Sequence, residues 1–165
     1  MQIIRTLKHL FATQWGTRRR FPVAVLTQIE AAVKAVEARH AGEIRFAVET
    51  AFDLPELWHG VTPRERALQV FGHLGVWDTE GNNGVLIYVL MADRDVEIVA
   101  DRSIAARVSP AEWAAVCREI EDRFRLGQFA EGSVAGVAAV GSLLARHFPN
   151  QGGDRNEQSN QPVLL

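Results

Sequence analysis

The spacing of apolar residues along the chain predicts an alternation of helices and strands. Five segments carry apolar residues every three or four positions, which is the spacing of an amphipathic helix. These segments span residues 3–15, 22–42, 62–75, 109–127 and about 131–147. Three shorter segments, residues 43–50, 85–91 and 96–100, are rich in β-branched and aromatic residues and predict strands. Residues 52–60 are predicted to be a loop.

The three predicted strands differ in how completely they should be buried. Residues 43–50 alternate between apolar and polar side chains, so one face should be partly wet and the strand should lie near the sheet edge. Residues 85–91, VLIYVLM, do not alternate, which is typical of a central strand covered on both faces. The polar turn at Asp93 and Arg94 then leads into residues 96–100 as the return strand of a hairpin.

The order of these elements predicts the topology of the sheet. A strand, a crossover helix and a second strand imply a right-handed parallel pair, and the third strand pairs antiparallel with the second. We therefore predict an α/β fold, a three-layer α/β/α sandwich in which helices cover both faces of a small mixed sheet. The first and second strands would begin, and the third would end, at the same end of the sheet.

The two ends of the chain differ from its body, residues 21–148. Residues 1–20 predict a basic amphipathic helix and linker, which could pack on the body or on a membrane. The cations of this arm are Arg5, Lys8, Arg18, Arg19 and Arg20, and it contains no acid. Residues 149–165 are rich in Asn, Gln, Gly and Ser with little to bury, and we predict a disordered tail.

Composition limits the class of protein. The chain has 165 residues, of which 47% are hydrophobic and 23% charged, and this suits one globular domain. The single cysteine, Cys117, lies at helical spacing in an apolar stripe, which indicates packing rather than nucleophilic chemistry. We expect no signal peptide and no membrane span, hence a cytoplasmic protein. Net positive charge is confined to the amino-terminal arm and the rest of the chain is acidic on balance, so no nucleic acid is expected. No glycine-rich nucleotide cradle is present, so no organic cofactor is expected.

An acidic loop, residues 78–84, carries the main candidate chemistry. Its carboxylates and amides offer hard oxygen ligands of the kind that Ca²⁺ or Mg²⁺ accepts, and neighbouring strand ends could add two more. The predicted metal ligands are Asp78, Glu80, Asn83, Asp101 and Glu43. The loop does not match the EF-hand pattern. The alternative is a turn whose Asp and Asn side chains hydrogen-bond to nearby main chain.

Other polar residues are interpreted as surface groups. At the opposite end of the sheet, Asp53, Asp93 and Asp95 lie near Arg64 and Arg94, and surface ion pairing explains them most simply. The histidines show no spacing of paired ligands and are expected to be solvated or to cap helices. They are His9, His40, His59, His73 and His147.

The sequence also resembles a known family. Gly42-Glu43 precede an amphipathic strand, a helix follows, and Asn83-Gly84-Val85-Leu86 then lead to a polar hairpin at Asp93-Arg94. This order is similar to the TPM domain family over roughly residues 22–148, and to its shorter bacterial subgroup without a signal peptide or membrane span. The resemblance implies a compact α/β/α sandwich. The chain departs from the family at Ala100-Asp101-Arg102-Ser103, where a glycine-rich turn often follows the third strand.

Three functions follow as hypotheses. The family includes thylakoid-lumen proteins described as acid phosphatases and linked to photosystem repair, and bacterial proteins of which some are reported to bind calcium. The first hypothesis is a non-catalytic interaction or accessory module for an unknown protein partner, with a divalent-cation site. The second is a weak acid phosphatase. The third is an accessory protein that binds an anionic membrane surface through Arg5, Lys8, Arg18, Arg19 and Arg20.

Overall fold

The computed structural model describes residues 2–150 and 156–165, and this part of the chain contains eight helices and four strands. The helices are α1 (Gln2–Phe11), α2 (Gln14–Arg20), α3 (Val23–Glu37), α4 (Leu54–Trp58), α5 (Pro63–His73), α6 (Arg102–Ala105), α7 (Pro110–Arg125) and α8 (Phe129–His147). The strands are β1 (Glu43–Glu49), β2 (Gly84–Leu90), β3 (Asp95–Ala100) and β4 (Val163–Leu164).

The sheet has the strand order β3-β2-β1-β4. Strands β1 and β2 are parallel, with Glu43 opposite Gly84, and β2 and β3 form the antiparallel hairpin, with Val85 opposite Ala100. Both pairings confirm the topology predicted from the order of elements. The fourth strand, β4, runs parallel to β1 with Val163 opposite Ala47.

Helices cover both faces of this sheet and confirm the three-layer α/β/α sandwich. On one face α3, α7 and α8 enclose the larger core with the side chains of Ile44, Phe46 and Val48 from β1. On the other face α4 and α5 pack against side chains such as Leu86 and Tyr88 of β2. As predicted, all seven residues of β2 are buried.

The prediction that one face of β1 is partly wet is wrong, because all seven of its residues are buried. The polar residues are buried with partners. Arg66 donates three hydrogen bonds to the Glu49 carboxylate at 2.7–3.2 Å, two from Nε and one from Nη2, and the Tyr88 hydroxyl donates a fourth. The Arg45 guanidinium donates to the main-chain oxygen of Ser159. Strand β4 also covers the edge of β1, so β1 is an inner strand.

Proline-containing capping boxes begin three of the helices. The two predicted from sequence, at Thr62 and Ser109, are confirmed and begin α5 and α7. A third box joins Asp53 and Glu56 and begins α4, so the predicted loop at residues 52–60 contains a short helix. Each box satisfies main-chain N–H groups that the first helical turn leaves unpaired.

The amino-terminal arm differs from the single helix and linker that we predicted. It forms two helices, because the Thr13 side chain accepts a hydrogen bond from the Gly16 N–H and begins α2 there. The three arginines at 18–20 therefore belong to α2 and not to a linker. A hydrogen bond of 3.0 Å between the Thr17 and Thr50 hydroxyls ties α2 to the end of β1.

The prediction of a disordered tail over residues 149–165 is wrong for its last ten residues, and residues 151–155 lie outside the described part. Pro149 bridges to His40, and residues 156–165 run along the edge of β1 and end in β4. Composition predicted disorder because these residues are polar, but their amide groups have partners on the body. Pro162 is buried, and Leu164 and Leu165 pack against the two cores on opposite faces of the sheet.

Candidate functional site

The end of the sheet where β1 and β2 begin brings three of the predicted ligand residues together along the main chain. The Glu43 N–H donates to the Asn83 oxygen at 3.1 Å, and the Asp101 N–H donates to the Gly84 oxygen at 2.9 Å. Three adjacent strand ends therefore carry these residues side by side, as the parallel pair and the hairpin predicted.

Two side-chain oxygens at this end are buried without a hydrogen-bond partner among the described residues. Asp101 begins α6, and its Oδ1 accepts a hydrogen bond of 2.6 Å from the Arg102 N–H, while its Oδ2 has no partner. The Asn83 amide nitrogen donates to the Ala41 oxygen, and its Oδ1 has no partner. Hard oxygen atoms of this kind suit a divalent cation.

The other predicted ligands do not complete this pair. The Glu43 carboxylate accepts hydrogen bonds from the main-chain N–H groups of Glu157 and Gln158 at 3.2 and 3.3 Å. Asp78 and Glu80 are exposed, and the Glu80 N–H donates to the Glu157 carboxylate at 3.1 Å. In residues 2–150 and 156–165 no three His, Cys, Asp or Glu side chains form a group that could hold a metal. Thus the carboxyl-terminal segment lies against Glu43, where we predicted a cation.

Two further titratable residues, Glu37 and His40, line a cavity together with Glu43. The Glu37 carboxyl accepts a hydrogen bond from the Ile44 N–H at 2.9 Å and another from the Asn160 amide at 2.6 Å. Burial raises the pKa of Glu37 to about 7, and the nearby Glu43 charge adds to this increase. With residues of the carboxyl-terminal segment, these groups line a cavity of about 250 Å³.

His40 lines the same cavity and is buried, so the prediction that it is solvated or a helix cap is wrong. Burial lowers the pKa of His40 to about 4, so the ring is neutral at pH 7. Its Nδ1 accepts a hydrogen bond from the Gly42 N–H at 3.2 Å, which places the ring proton on Nε2.

At the opposite end of the sheet, α1 is attached to the body through its polar side. Arg5 donates to the Asp93 carboxylate at 2.9 Å and to the Val61 oxygen at 3.0 Å. The Phe52 N–H donates to Nδ1 of His9 at 2.8 Å, and Nε2 of His9 lies 3.1 Å from Asp93. Burial raises the pKa of Asp93, but the hydrogen bonds from Arg5 and His9 outweigh it and leave this pKa below its usual value.

These contacts correct two predictions. The turn at Asp93 is not a free surface turn, because α1 covers it, and His9 is buried rather than solvated. Asp95 in the same hairpin is also half-buried, and burial together with the nearby Glu97 and Glu121 charges raises its pKa to about 6. Arg5 and His9 are four residues apart and share one side of α1. The apolar pattern favours the opposite side as the inward one, so it gave no sign that the polar side would attach to the body.

Because the polar side of α1 faces the body, its apolar side faces solvent. Phe11 is 80% exposed and Trp15, at the start of α2, is 71% exposed. The large exposed apolar residues of α1 and α2 are Ile3, Ile4, Leu7, Leu10, Phe11 and Trp15. The sequence identified this apolar stripe and left open whether it packs on the body or elsewhere.

A groove of about 1200 Å³ adjoins this apolar side. It lies between the two amino-terminal helices, the end of β2 and the junction of α7 with α8. Aromatic side chains and cations both line it. Arg19 stacks 5.5 Å from the centre of the Trp15 ring, and Arg20 lies 5.7 Å from that of Phe129. Its basic residues are Lys8, Arg19, Arg20, Arg94 and Arg125, and its acid is Glu131.

None of the helices in the described part of the chain is long and apolar enough to cross a membrane.

Comparison with other proteins gives the family. A model of the TPM domain matches residues 21–143. The NMR structure of the BA42 protein from the psychrophilic bacterium Bizionia argentinensis is 30% identical, covers 86% of this chain and 93% of its own, and has a TM-score of 0.72. No curated protein matches the chain significantly.

Two more distant structures share the fold. The N-terminal domain of a protein from P. gingivalis is 21% identical with a TM-score of 0.56, over 73% of this chain and 76% of its own. The N-terminal domain of the cg2496 protein from Corynebacterium glutamicum is 17% identical with a TM-score of 0.54, over 84% of this chain and 77% of its own. The family model and the likeness to BA42 both cover most of the sandwich, and the chain belongs to the TPM domain family.

Proposed function

We propose that this TPM domain is a non-catalytic interaction module that docks through the exposed apolar side of α1 and the start of α2. The orientation of α1 carries this proposal. Arg5 and His9 attach the helix to the body, so its apolar residues are held in a fixed position facing outward. Burying one such side chain contributes roughly 1.5–3 kcal/mol, so a few of them are enough for reversible docking.

An anionic membrane surface is the partner that the charges favour. Lys8, Arg19 and Arg20 line one groove together with Phe11 and Trp15, and Arg18 belongs to the same helix, α2. An aromatic ring stacked with a cation, as in Trp15 and Arg19, suits the membrane interface. Each cation near an anionic surface contributes about 1 kcal/mol. Arg5, which we had included among the membrane contacts, is held by Asp93 and is left out of the proposed contact.

Co-sedimentation with lipid vesicles tests this membrane docking. We expect the chain to bind vesicles that contain phosphatidylserine, with binding weakened by salt and lost in a double variant, Phe11→Asp with Trp15→Asp. Leu126→Asp is the control, because Leu126 is 74% exposed and lies in a depression with Arg118 and Asp122 of α7, outside the lining of the groove beside α1. Equal binding by both variants, or no binding by the unmodified chain, contradicts the membrane as partner and leaves a protein surface as the alternative.

A divalent-cation site is a second function that one observation favours. The buried Oδ2 of Asp101 and Oδ1 of Asn83 have no hydrogen-bond partner among the described residues and lie on neighbouring strand ends. Calorimetric titration with Ca²⁺ and Mg²⁺ should show binding that Asp101→Asn weakens at least tenfold. Asparagine still caps α6, so the variant isolates the lost charge. Asp122→Asn, on the exposed side of α7, is the control. Unchanged affinity in Asp101→Asn contradicts this site.

Phosphate-ester hydrolysis is the alternative that family resemblance implies. The half-buried Cys117 does not support a nucleophile, because burial raises the pKa of its thiol to about 12. A non-catalytic module predicts no turnover of p-nitrophenyl phosphate with or without Ca²⁺ and Mg²⁺. Turnover that Asp101→Asn abolishes would instead support the enzyme.

A further inference from the structure

We propose that the edge of β1 is a binding site for an extended peptide, and that residues 156–165 of the chain are its exchangeable resident ligand. The peptide class is defined by this segment, NEQSNQPVLL, which carries amide side chains followed by an apolar end. This binding site is separate from the α1 surface and does not depend on the proposed docking.

The segment is paired with the sheet over a short length only. β1 has seven residues, and the β4 register pairs Val163 and Leu164 with only two of them, Ala47 and Val48. The Leu165 N–H adds a hydrogen bond of 2.8 Å to the Val48 oxygen. Farther along β1, the Ile44 N–H donates to the Glu37 carboxyl rather than to a strand. A short ladder of this kind can open locally without unfolding the sheet.

Side chains of the body hold the rest of the segment at fixed positions. Glu43 accepts from the Glu157 and Gln158 N–H groups, Arg45 donates to the Ser159 oxygen, and Glu37 accepts from the Asn160 amide. The Gln158 amide also donates to the Gly75 oxygen at 3.0 Å. These contacts recognise an extended main chain and two carboxamides, so they define which peptide fits.

At the apolar end of the segment, successive side chains pack on opposite faces of the sheet, and a peptide that binds here needs an apolar residue for each face. Leu164 packs against the larger core and Leu165 against the smaller one, which are on opposite faces of the sheet. Both remain half-buried, whereas the apolar residues of β1 are fully buried. The segment therefore contributes less apolar burial than an inner strand does, and this favours exchange.

Strand β4 also lies beyond the matched part of the family domain. The TPM domain model matches residues 21–143, whereas β4 spans Val163–Leu164. An uncovered edge strand is a template for pairing with another chain, and strand addition to such edges is a recurrent way to bind peptides.

A labelled synthetic peptide of residues 156–165 tests the site by fluorescence anisotropy. In the full chain, the double variant Leu164→Asp with Leu165→Asp weakens the resident segment and frees the edge. We expect this variant to bind the peptide at least tenfold more tightly than the unmodified chain does. A peptide carrying the same two substitutions should not bind, and Leu126→Asp should behave as the unmodified chain. Equal affinity for the double variant and the unmodified chain overturns the proposal.

Amide hydrogen exchange on the unmodified chain gives a second test that does not depend on the folding of a variant. The N–H groups of Glu157, Gln158 and Leu165 should exchange through local opening, at least tenfold faster than that of Ile87 in β2. If these three exchange only as fast as Ile87, the segment is a permanent strand and the proposal fails.

Discussion

At the scale of single residues, Glu37 and His40 have opposite pKa shifts in the same small cavity. Burial raises the pKa of the acid from 4.5 to about 7 and lowers that of the imidazole from 6.5 to about 4. In both cases burial disfavours the charged form. The cavity thus holds both groups neutral near pH 6. With their ordinary pKa values of 4.5 and 6.5, the carboxyl group would be ionised and the imidazole mostly protonated at that pH.

These two shifts predict opposing effects of pH on stability. Folded Glu37 holds its proton up to about pH 7. Its contribution to the free energy of unfolding is therefore fully present below pH 4.5 and is lost as the pH rises through about 7. Folded His40 stays neutral down to about pH 4. Its contribution to the free energy of unfolding is fully present above pH 6.5 and is lost as the pH falls through about 4. Between pH 4.5 and 6.5 the contribution of Glu37 falls with pH while that of His40 rises, so the two pH dependences largely cancel.

Single variants should separate the two pH dependences when urea unfolding is measured across this pH range. Glu37→Gln should make the free energy of unfolding rise more steeply with pH, and His40→Asn should make it fall with pH. Glu119→Gln, on the exposed side of α7, should leave the slope unchanged. Slopes that move in the same direction in both variants contradict this assignment.

At the scale of elements, glycines allow α8 to approach its neighbours closely. A Cβ on Gly136 would lie 2.4 Å from Cδ1 of Ile120 in α7, and one on Gly141 would lie 2.6 Å from Cβ of Val36 in α3. Neither distance is compatible with van der Waals contact. Gly72 in α5 is different, because a Cβ there meets nothing within 4 Å.

Alanine substitution should therefore have opposite signs at these glycines. Gly136→Ala and Gly141→Ala should each lower the free energy of unfolding by about 1–3 kcal/mol, since the core cannot accept the extra methyl group without moving. Gly72→Ala should raise it by about 0.5–1 kcal/mol, because alanine is the better helix former. Thermal and urea unfolding measure both effects. Stabilisation by Gly136→Ala would contradict the close packing.

The sequence predicted the long elements and missed the short ones. α3, α5, α7, α8 and the first three strands each contain several apolar residues at a regular spacing. α4 and α6 have only five and four residues, which is too short for a repeating pattern. β4 has two residues, and it is defined by the edge that it meets rather than by its own composition.

At the scale of the whole molecule, a single carboxylate, that of Asp93, takes part in two of the contacts that attach α1 to the far end of the sheet. Asp93 receives both Arg5 and His9, and the apolar side of α1 keeps its outward direction through them. Loss of this carboxylate charge should loosen the helix without opening the sheet.

Asp93→Asn tests this attachment by amide hydrogen exchange. Exchange in α1 should become at least tenfold faster, which corresponds to about 1.4 kcal/mol, while exchange in β2 changes little. Glu97→Gln is the control, because its pair with Arg64 is more exposed and should contribute at most about 1 kcal/mol. Unchanged exchange in α1 would show that other contacts hold it.

The fold could be predicted further than the candidate site could. Strand order and hairpin geometry follow from local patterns, and they brought Glu43, Asn83 and Asp101 together correctly. The same local patterns do not predict which of these side chains form hydrogen bonds with a segment that is distant in sequence. Glu157 and Gln158 bind Glu43 from 114 and 115 residues away, and this contact decides which carboxylates remain for a cation.

The position of β4 also sets an order for folding. Val163 pairs with Ala47, and closing so long a loop is entropically costly, so this strand should join after β1, β2 and β3 have formed. While the chain is being synthesised, the edge of β1 is complete long before residue 163 exists. A nascent chain therefore spends that interval with an uncovered apolar strand, and the length of the interval is set by the rate of translation.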